Sequence, residues 1–232
     1  MPHQNADDSP SPGDTELPFS PADEPAAPRQ PDIFAQVAEQ ADRGEMSGAL
    51  ATLRGLIARE PKNTRARAML ASFLEKRGDP EGALSELGKA LESAPDDVSL
   101  LCARALVLSA RGRFELAEDD LRRATRIDPA GAEVQVQLGM LFSKRARWRE
   151  AIEPLQAAVT ADPERADAHY YLGEAYNHID DLPAALTAYE AAVRLNPANG
   201  RAHKGMGIVL DRLGRPGEAA QAYRRARDSQ KR

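Results

Sequence analysis

Histidines are the residues of this chain whose type and spacing come nearest to a reactive site. His169 and His203 are thirty-four residues apart. His178 follows His169 in the same repeat, and Glu174 lies four residues before His178. A metal site would need further cysteine or carboxylate ligands at ligand spacing, and none completes the set. Glu174 and His178 could form an acid–base pair on one helix, but a solvated i,i+4 pair explains the same spacing. The sequence therefore predicts no metal, no cofactor and no catalytic residue.

Other catalytic signatures are missing from the sequence as well. It contains no glycine-rich phosphate loop, no nucleophile elbow and no paired-carboxylate cleft. We therefore expect a protein that is not an enzyme.

A regular series of prolines indicates where the structural elements that carry these residues begin and end. The interval between successive members is the same in every step (95 − 61 = 34), and the series is Pro61, Pro95, Pro129, Pro163 and Pro197. A fixed period of this length is typical of stacked structural repeats. The period predicts one elongated domain in which each unit buries its faces against its neighbours.

The unit between the last two prolines shows the pattern of large and small residues most clearly. A first helix carries Leu172-Gly173 and Tyr176, and a second carries Ala185, Tyr189 and Ala192 before Asn196-Pro197. At these places the sequence resembles the tetratricopeptide repeat, and the resemblance covers about residues 30 to 228. The resemblance implies an all-α fold, a right-handed α-solenoid of about six helix-turn-helix repeats. We place the repeats at residues 30–63, 64–97, 98–131, 132–165, 166–199 and 200–232.

Alanines and glycines recur at fixed places in these repeats. One alanine position of the second helix is filled in all six units, by Ala49, Ala83, Ala117, Ala151, Ala185 and Ala219. Small residues there, and on the first helix, should let the two helices approach closely. Gly44, Gly78, Gly112 and Gly214 should supply the left-handed turn between them. Arg104 stands where the family usually has leucine, so we expect its side chain either to extend to solvent or to pair with a carboxylate, for which Asp119 and Asp120 are candidates.

Charge separates the first 30 residues from the rest of the chain. The formal net charge is −5, and all of it comes from residues 1–31, whereas acids and bases balance in the remainder. The proline-rich, acidic segment 1–30 is predicted to be a disordered tail, and residues 31–232 to be the repeat domain. The charge gives no reason to expect nucleic acid. A single cysteine and no long apolar run predict a cytoplasmic protein without membrane insertion.

The family resemblance implies a ligand groove on the inner side of the solenoid. There, the second, fifth, ninth, twelfth and thirteenth residues of each repeat would face a partner peptide or helix. The residues predicted to bind the partner are Arg65, Ala68, Ser72, Cys102, Leu106, Val136, Met140, Lys144, Tyr170, Glu174, Asn177, Lys204 and Ile208. An apolar strip with charged borders favours a protein-interaction scaffold or adaptor. The alternative is that the small apolar residues simply pack on one another.

Two other functions compatible with the fold stay open at this point. The first or the sixth repeat could pair with another copy, giving a homodimer or a structural subunit of an assembly. Alternatively, the acidic tail could compete for the groove, with Phe19 as its apolar plug.

Overall fold

The computed structural model describes residues 32–229 of the chain. The segment predicted to be disordered, residues 1–30, lies outside the described residues. Twelve α-helices and no strands make up the described part. Their bounds are α1 (Ile33–Asp42), α2 (Met46–Arg59), α3 (Thr64–Lys76), α4 (Pro80–Ser93), α5 (Val98–Ala110), α6 (Phe114–Ile127), α7 (Ala132–Lys144), α8 (Trp148–Ala161), α9 (Ala166–His178), α10 (Leu182–Leu195), α11 (Gly200–Arg212) and α12 (Pro216–Ser229).

The helices repeat with the same 34-residue period as the prolines. From α3 onward, first helices begin at residues 64, 98, 132, 166 and 200, and second helices at 80, 114, 148, 182 and 216. Side-chain caps mark many of these starts: Asp32 accepts a hydrogen bond from the amide of Phe34, and Asp97 from the amide of Leu100. The sequence thus encodes helix starts as well as helix ends.

The helices form two layers. Each odd-numbered helix from α3 to α9 contacts the next odd-numbered helix, whereas the even-numbered helices pack on odd-numbered ones. The odd-numbered helices therefore form the inner layer, and the even-numbered helices form the outer layer. This arrangement confirms the predicted all-α solenoid of helical hairpins.

Close helix crossings hold each hairpin together. The six repeated alanines are all 0% exposed, as the sequence predicts. Glycines on the first helices face large side chains of the second helices. A Cβ atom added to Gly139 would lie 2.4 Å from Cγ of Leu155, and one added to Gly173 would lie 2.8 Å from Tyr189. The crossing distance therefore leaves no room for a methyl group at these positions.

Left-handed backbone joins the two helices of every hairpin. Gly44, Gly78, Gly112 and Gly214 have φ between +71° and +81°, which confirms the predicted turns. In the fourth and fifth repeats the equivalent residues are Ala146, with φ of +55°, and Asp180, with φ of +71°. A residue with a Cβ atom is strained there by about 1–2 kcal/mol.

Ala146→Gly is expected to stabilise the protein, because it removes this strain from an exposed position. The gain should be about 0.5–1 kcal/mol after the greater freedom of glycine in the unfolded chain is subtracted. Denaturant unfolding followed by circular dichroism measures it. Ala51→Gly, at an exposed position inside α2, is the control and should lose about 1 kcal/mol. Equal losses in both variants would contradict the strain.

Candidate binding groove

The predicted partner-binding residues differ widely in exposure. Exposed side chains belong to Arg65, Ser72, Leu106, Lys144, Lys204 and Ile208. Partly exposed ones belong to Ala68, Met140, Glu174 and Asn177. Buried ones belong to Cys102, Val136 and Tyr170. All lie on the odd-numbered helices, which form the inner layer.

The three buried residues occupy the same place, the fifth of their repeats. Val136 packs with Ala158 on α8 of its own hairpin and with Ala168 on α9 of the next hairpin. The ring centroids of Tyr170 and Tyr189, on α9 and α10 of one hairpin, are 6.2 Å apart. The second helix of the same hairpin and the first helix of the next one therefore both contribute to covering this position. The predicted strip is therefore narrower than the sequence indicated, since these three side chains support the groove from beneath.

Leu106 and Met140 form the apolar centre of the inner surface. Leu106 is 44% exposed, although most leucines of this chain are buried. With Gln137, Ser109 and Lys144, the two side chains line a shallow cleft of about 20 Å³ between α5 and α7. Ile208, two repeats further along, is 38% exposed. The inner surface thus presents apolar side chains that the protein itself leaves uncovered.

Polar side chains border this apolar centre, and several already pair between repeats. Lys144 Nζ donates to Ser109 Oγ over 3.3 Å. Arg212 donates to Asn177 Oδ1 over 2.6 Å and also forms an ion pair with Asp180. These contacts link the thirteenth residue of one repeat to the twelfth of the previous one. They hold neighbouring first helices in register along the groove.

Tyr170 and Glu174 form a further polar pair on α9. The Tyr170 hydroxyl donates a hydrogen bond to Glu174 Oε1. Burial, and next the bond to this carboxylate, raise the pKa of Tyr170. The guanidinium of Arg201 lies 5.2 Å from the centroid of the same ring. Tyr170 therefore remains a neutral hydrogen-bond donor at physiological pH.

The histidines have structural roles in this arrangement. His169 and His203 each place Nε2 3.0 Å from a proline carbonyl of the preceding turn, Pro163 and Pro197 respectively. His178 does not pair with Glu174. Its ring stacks on Trp148 with centroids 3.8 Å apart. Among residues 32–229, no cluster of three or more histidine, cysteine or acidic residues could hold a metal ion.

The contact between a side-chain nitrogen and the proline carbonyl of the preceding turn was not predicted from the sequence. The fourth residue of a repeat makes it in four units: Arg67 Nε lies 3.0 Å from the Pro61 carbonyl, and Gln135 Nε2 2.8 Å from that of Pro129. The two histidines complete the set. The shared property is a side-chain N–H at the fourth place, a signal that comparison of the aligned repeats would have shown. Only Leu101 breaks the series from the second repeat onward, and it is fully buried.

Cys102 should be unreactive in the folded protein. Its side chain is 5% exposed, and burial, followed by the nearby carboxylates Glu133, Asp120 and Asp128, raises the pKa of the thiol to about 12. We expect labelling by a disulfide reagent at neutral pH to be slowed at least about 100-fold relative to urea-unfolded protein. Because the folded-state pKa is raised, the thiol leaves stability unchanged below about pH 8.5 and reduces it above that pH, as the unfolded thiol ionises. Rapid labelling of native protein would show that the inner layer opens.

Outer-surface residues provide a reference for the exposed apolar residues of the groove. On α6, Leu116 is 55% exposed and Ile127 is 42% exposed. Both lie in the outer layer, away from Leu106 and Met140.

None of the helices between residues 32 and 229 is long and apolar enough to cross a membrane.

Comparison with family models gives matches along most of the chain. Three models described as tetratricopeptide repeat match it: one over residues 40–105, one over residues 98–130, and one over both 136–188 and 180–231. None of the curated proteins matches the chain.

Solved structures share the fold at low sequence identity. A crystal structure of MamA is 25% identical, with a TM-score of 0.63 over 70% of this chain and 95% of that chain. PilF of Pseudomonas aeruginosa is 19% identical, with a TM-score of 0.73 over 82% of this chain and 86% of that one. YrrB, described as a protein with an unusual peptide-binding site, is 20% identical, with a TM-score of 0.61 over 77% of this chain and 92% of its own.

Proposed function

The chain belongs to the tetratricopeptide repeat family, and on that premise we propose that it is a scaffold that binds a partner polypeptide in the groove of its inner helices. Repeats of this family serve generally as protein-interaction surfaces. In this role the protein performs no catalytic step and works in the cytoplasm, the location expected from the sequence. Its role is to hold a partner segment in place.

The observation that carries the proposal is the accessible apolar pair Leu106 and Met140. Apolar surface exposed to water costs about 25 cal/mol per Å². A partner side chain that covers Leu106 and Met140 would therefore stabilise the complex. The cleft between α5 and α7 is shallow, which suits side chains laid across it rather than a small molecule enclosed within it. A segment lying across several first helices would also reach Ile208.

The polar border favours a segment that carries its own charged or amide groups beside the apolar ones. Arg65, Ser72, Lys144 and Lys204 are exposed along the inner layer. An extended peptide or an amphipathic helix offers such a pattern. The peptide-binding site named for YrrB supports this mode by likeness of fold.

Selection of peptides from a random phage-displayed library tests the proposal. Peptides enriched on the wild-type protein should bind at least about 10-fold more weakly to Leu106→Glu/Met140→Glu, because an unpaired carboxylate would then be desolvated beneath the peptide. Circular dichroism confirms that the variant folds.

The matched control carries the same chemical change on the outer layer. Leu116→Glu/Ile127→Glu places two carboxylates at exposed apolar positions of α6. Peptides should bind it as they bind the wild type. Enriched peptides that lose affinity only for the outer-layer variant would move the site to that layer, and equal binding to both variants would refute the groove.

A further inference from the structure

The last described helix, α12, presents a surface unlike that of three internal second helices. Second helices of three internal repeats carry apolar pairs at the twenty-first and twenty-eighth places: Leu84 and Leu91, Ile152 and Val159, Leu186 and Val193. These side chains are buried or partly buried against the following hairpin. In α12 the same places hold Ala220 and Arg227, and both are exposed. The end face is thus adapted to water and charge rather than to a further apolar helix.

A concave site of basic character lies on this end face. Lys204, Ala220, Tyr223, Arg224, Ala226 and Arg227 line a depression of about 650 Å³. The three cations are exposed, and none forms an ion pair with another residue between 32 and 229. Asp211, on the neighbouring helix, accepts a hydrogen bond from the Tyr223 hydroxyl over 2.8 Å. Residues 200–229 contain seven arginines and lysines and three acids, a net charge of +4.

The N-terminal segment of the chain has the complementary composition. Residues 1–31 carry a net charge of −5. Within residues 14–24, two acids precede the apolar residues Leu17 and Phe19 and two acids follow them. An apolar centre flanked by carboxylates matches an aromatic ring and alanines flanked by cations.

We propose that residues 14–24 of a second copy of this chain bind the end face formed by Lys204, Tyr223, Arg224 and Arg227. The distance along the stack favours a second copy over the tail of the same molecule. Eight residues from Glu24 to Asp32 reach at most about 29 Å, whereas five successive hairpins, each adding about 10 Å, place the sixth repeat roughly 50 Å from the first.

The contact joins the beginning of one molecule to the end of another. Such an interface is heterologous, because it joins two different surfaces, and it allows successive molecules to add in a row. The groove lined by Leu106 and Met140 stays open in every molecule of the row. Lys204 borders the groove as well as the end face, whereas Leu106 and Met140 lie outside the end face. Self-association is measured without a groove ligand, so each proposal can fail alone.

Exchange of charges between the two surfaces tests the proposal in the full-length protein. The tail variant carries Asp14→Lys, Glu16→Lys, Asp23→Lys and Glu24→Lys, and the face variant carries Lys204→Glu, Arg224→Glu and Arg227→Glu. Sedimentation velocity at about 20 mM salt, where charges are little screened, should show wild-type species above the monomer mass of 25.2 kDa that grow with concentration. They should dissociate at about 500 mM salt.

Each variant alone should be monomeric, because like charges then face each other. An equal mixture of the two variants should associate again, since the reversed tail of one fits the reversed face of the other. Lys204→Gln, Arg224→Gln and Arg227→Gln, a milder combination, should weaken association at least about 10-fold without repulsion within the helix. Circular dichroism verifies the fold of each variant.

The control variant carries three charge reversals of the same kind at sites away from the end face. Arg54→Glu, Arg59→Glu and Arg126→Glu alter exposed cations of α2 and α6 and should leave association intact. A monomeric wild type at every concentration, association of either reversed variant alone, or a mixture that remains monomeric would each overturn the proposal. A tail bound within its own molecule would give the first of these results, a monomeric wild type.

Discussion

Arg104→Leu is expected to destabilise the protein by about 3 kcal/mol, although three of the six repeats carry leucine at this place, as Leu70, Leu138 and Leu172. Arg104 donates two hydrogen bonds to Asp120, from Nε to Oδ2 over 2.7 Å and from Nη2 to Oδ1 over 2.6 Å. Asp120 is 6% exposed, so removal of the guanidinium leaves a buried carboxylate without its partner. The bond to Asp120 also raises the pKa of Arg104, which stays charged throughout the accessible pH range.

A second substitution should restore most of this loss. Asp120→Ala combined with Arg104→Leu gives the pair that the fifth repeat already has in Leu172 and Ala188. Buried ion pairs are often replaceable by apolar residues, provided that both partners change. Denaturant unfolding of the two single variants and the double variant measures the coupling. A double variant that loses as much as the sum of the single variants would contradict the interpretation.

Gly139→Ala should cost about 1–3 kcal/mol, because its new methyl group meets a side chain that cannot move away. Cβ of the alanine would lie 2.4 Å from Cγ and 2.7 Å from Cδ2 of Leu155, which is 0% exposed. Either the side chain leaves its rotamer or α7 and α8 move apart. This loss outweighs the higher helix propensity of alanine.

Gly88→Ala is the matched control, since it makes the same change inside α4 with nothing within 4 Å of the new Cβ atom. It should stabilise the protein by about 0.5–1 kcal/mol. Leu155→Ala alone should cost about 2–5 kcal/mol by leaving a cavity. Adding Gly139→Ala to it should then cost little, because the methyl group enters that cavity. Equal losses from Gly139→Ala in both backgrounds would contradict the close crossing.

Periodicity made most of the fold predictable from the sequence. The regularly spaced prolines determined the helix ends, and alanines at one repeated place determined the crossings, because both act through local sterics. The same period would have placed Ala146 and Asp180 in left-handed turns, since they follow Gly112 by one and two repeat lengths. One prediction at Arg104 was specific enough to name Asp120 as one of two candidate partners.

The exposure of the groove was less predictable. Cys102, Val136 and Tyr170 are buried, and the burial of Val136 depends in part on Ala168 of the next repeat. No pattern within a single repeat reports it. Leu106 and Met140, four residues further along the same helices, are exposed and partly exposed, respectively. Their part in binding a partner remains a prediction.

Photo-crosslinking from the groove itself is the sharpest test of partner binding. A benzophenone amino acid replaces Leu106 in one protein and Leu116, the exposed leucine of the outer layer, in another. We expect irradiation in the native cell to join Leu106-substituted protein to a partner polypeptide, and we expect the peptides selected in vitro to compete with this adduct. Adducts that form only at position 116, or that form equally at both positions and resist competition, would contradict a partner-binding groove.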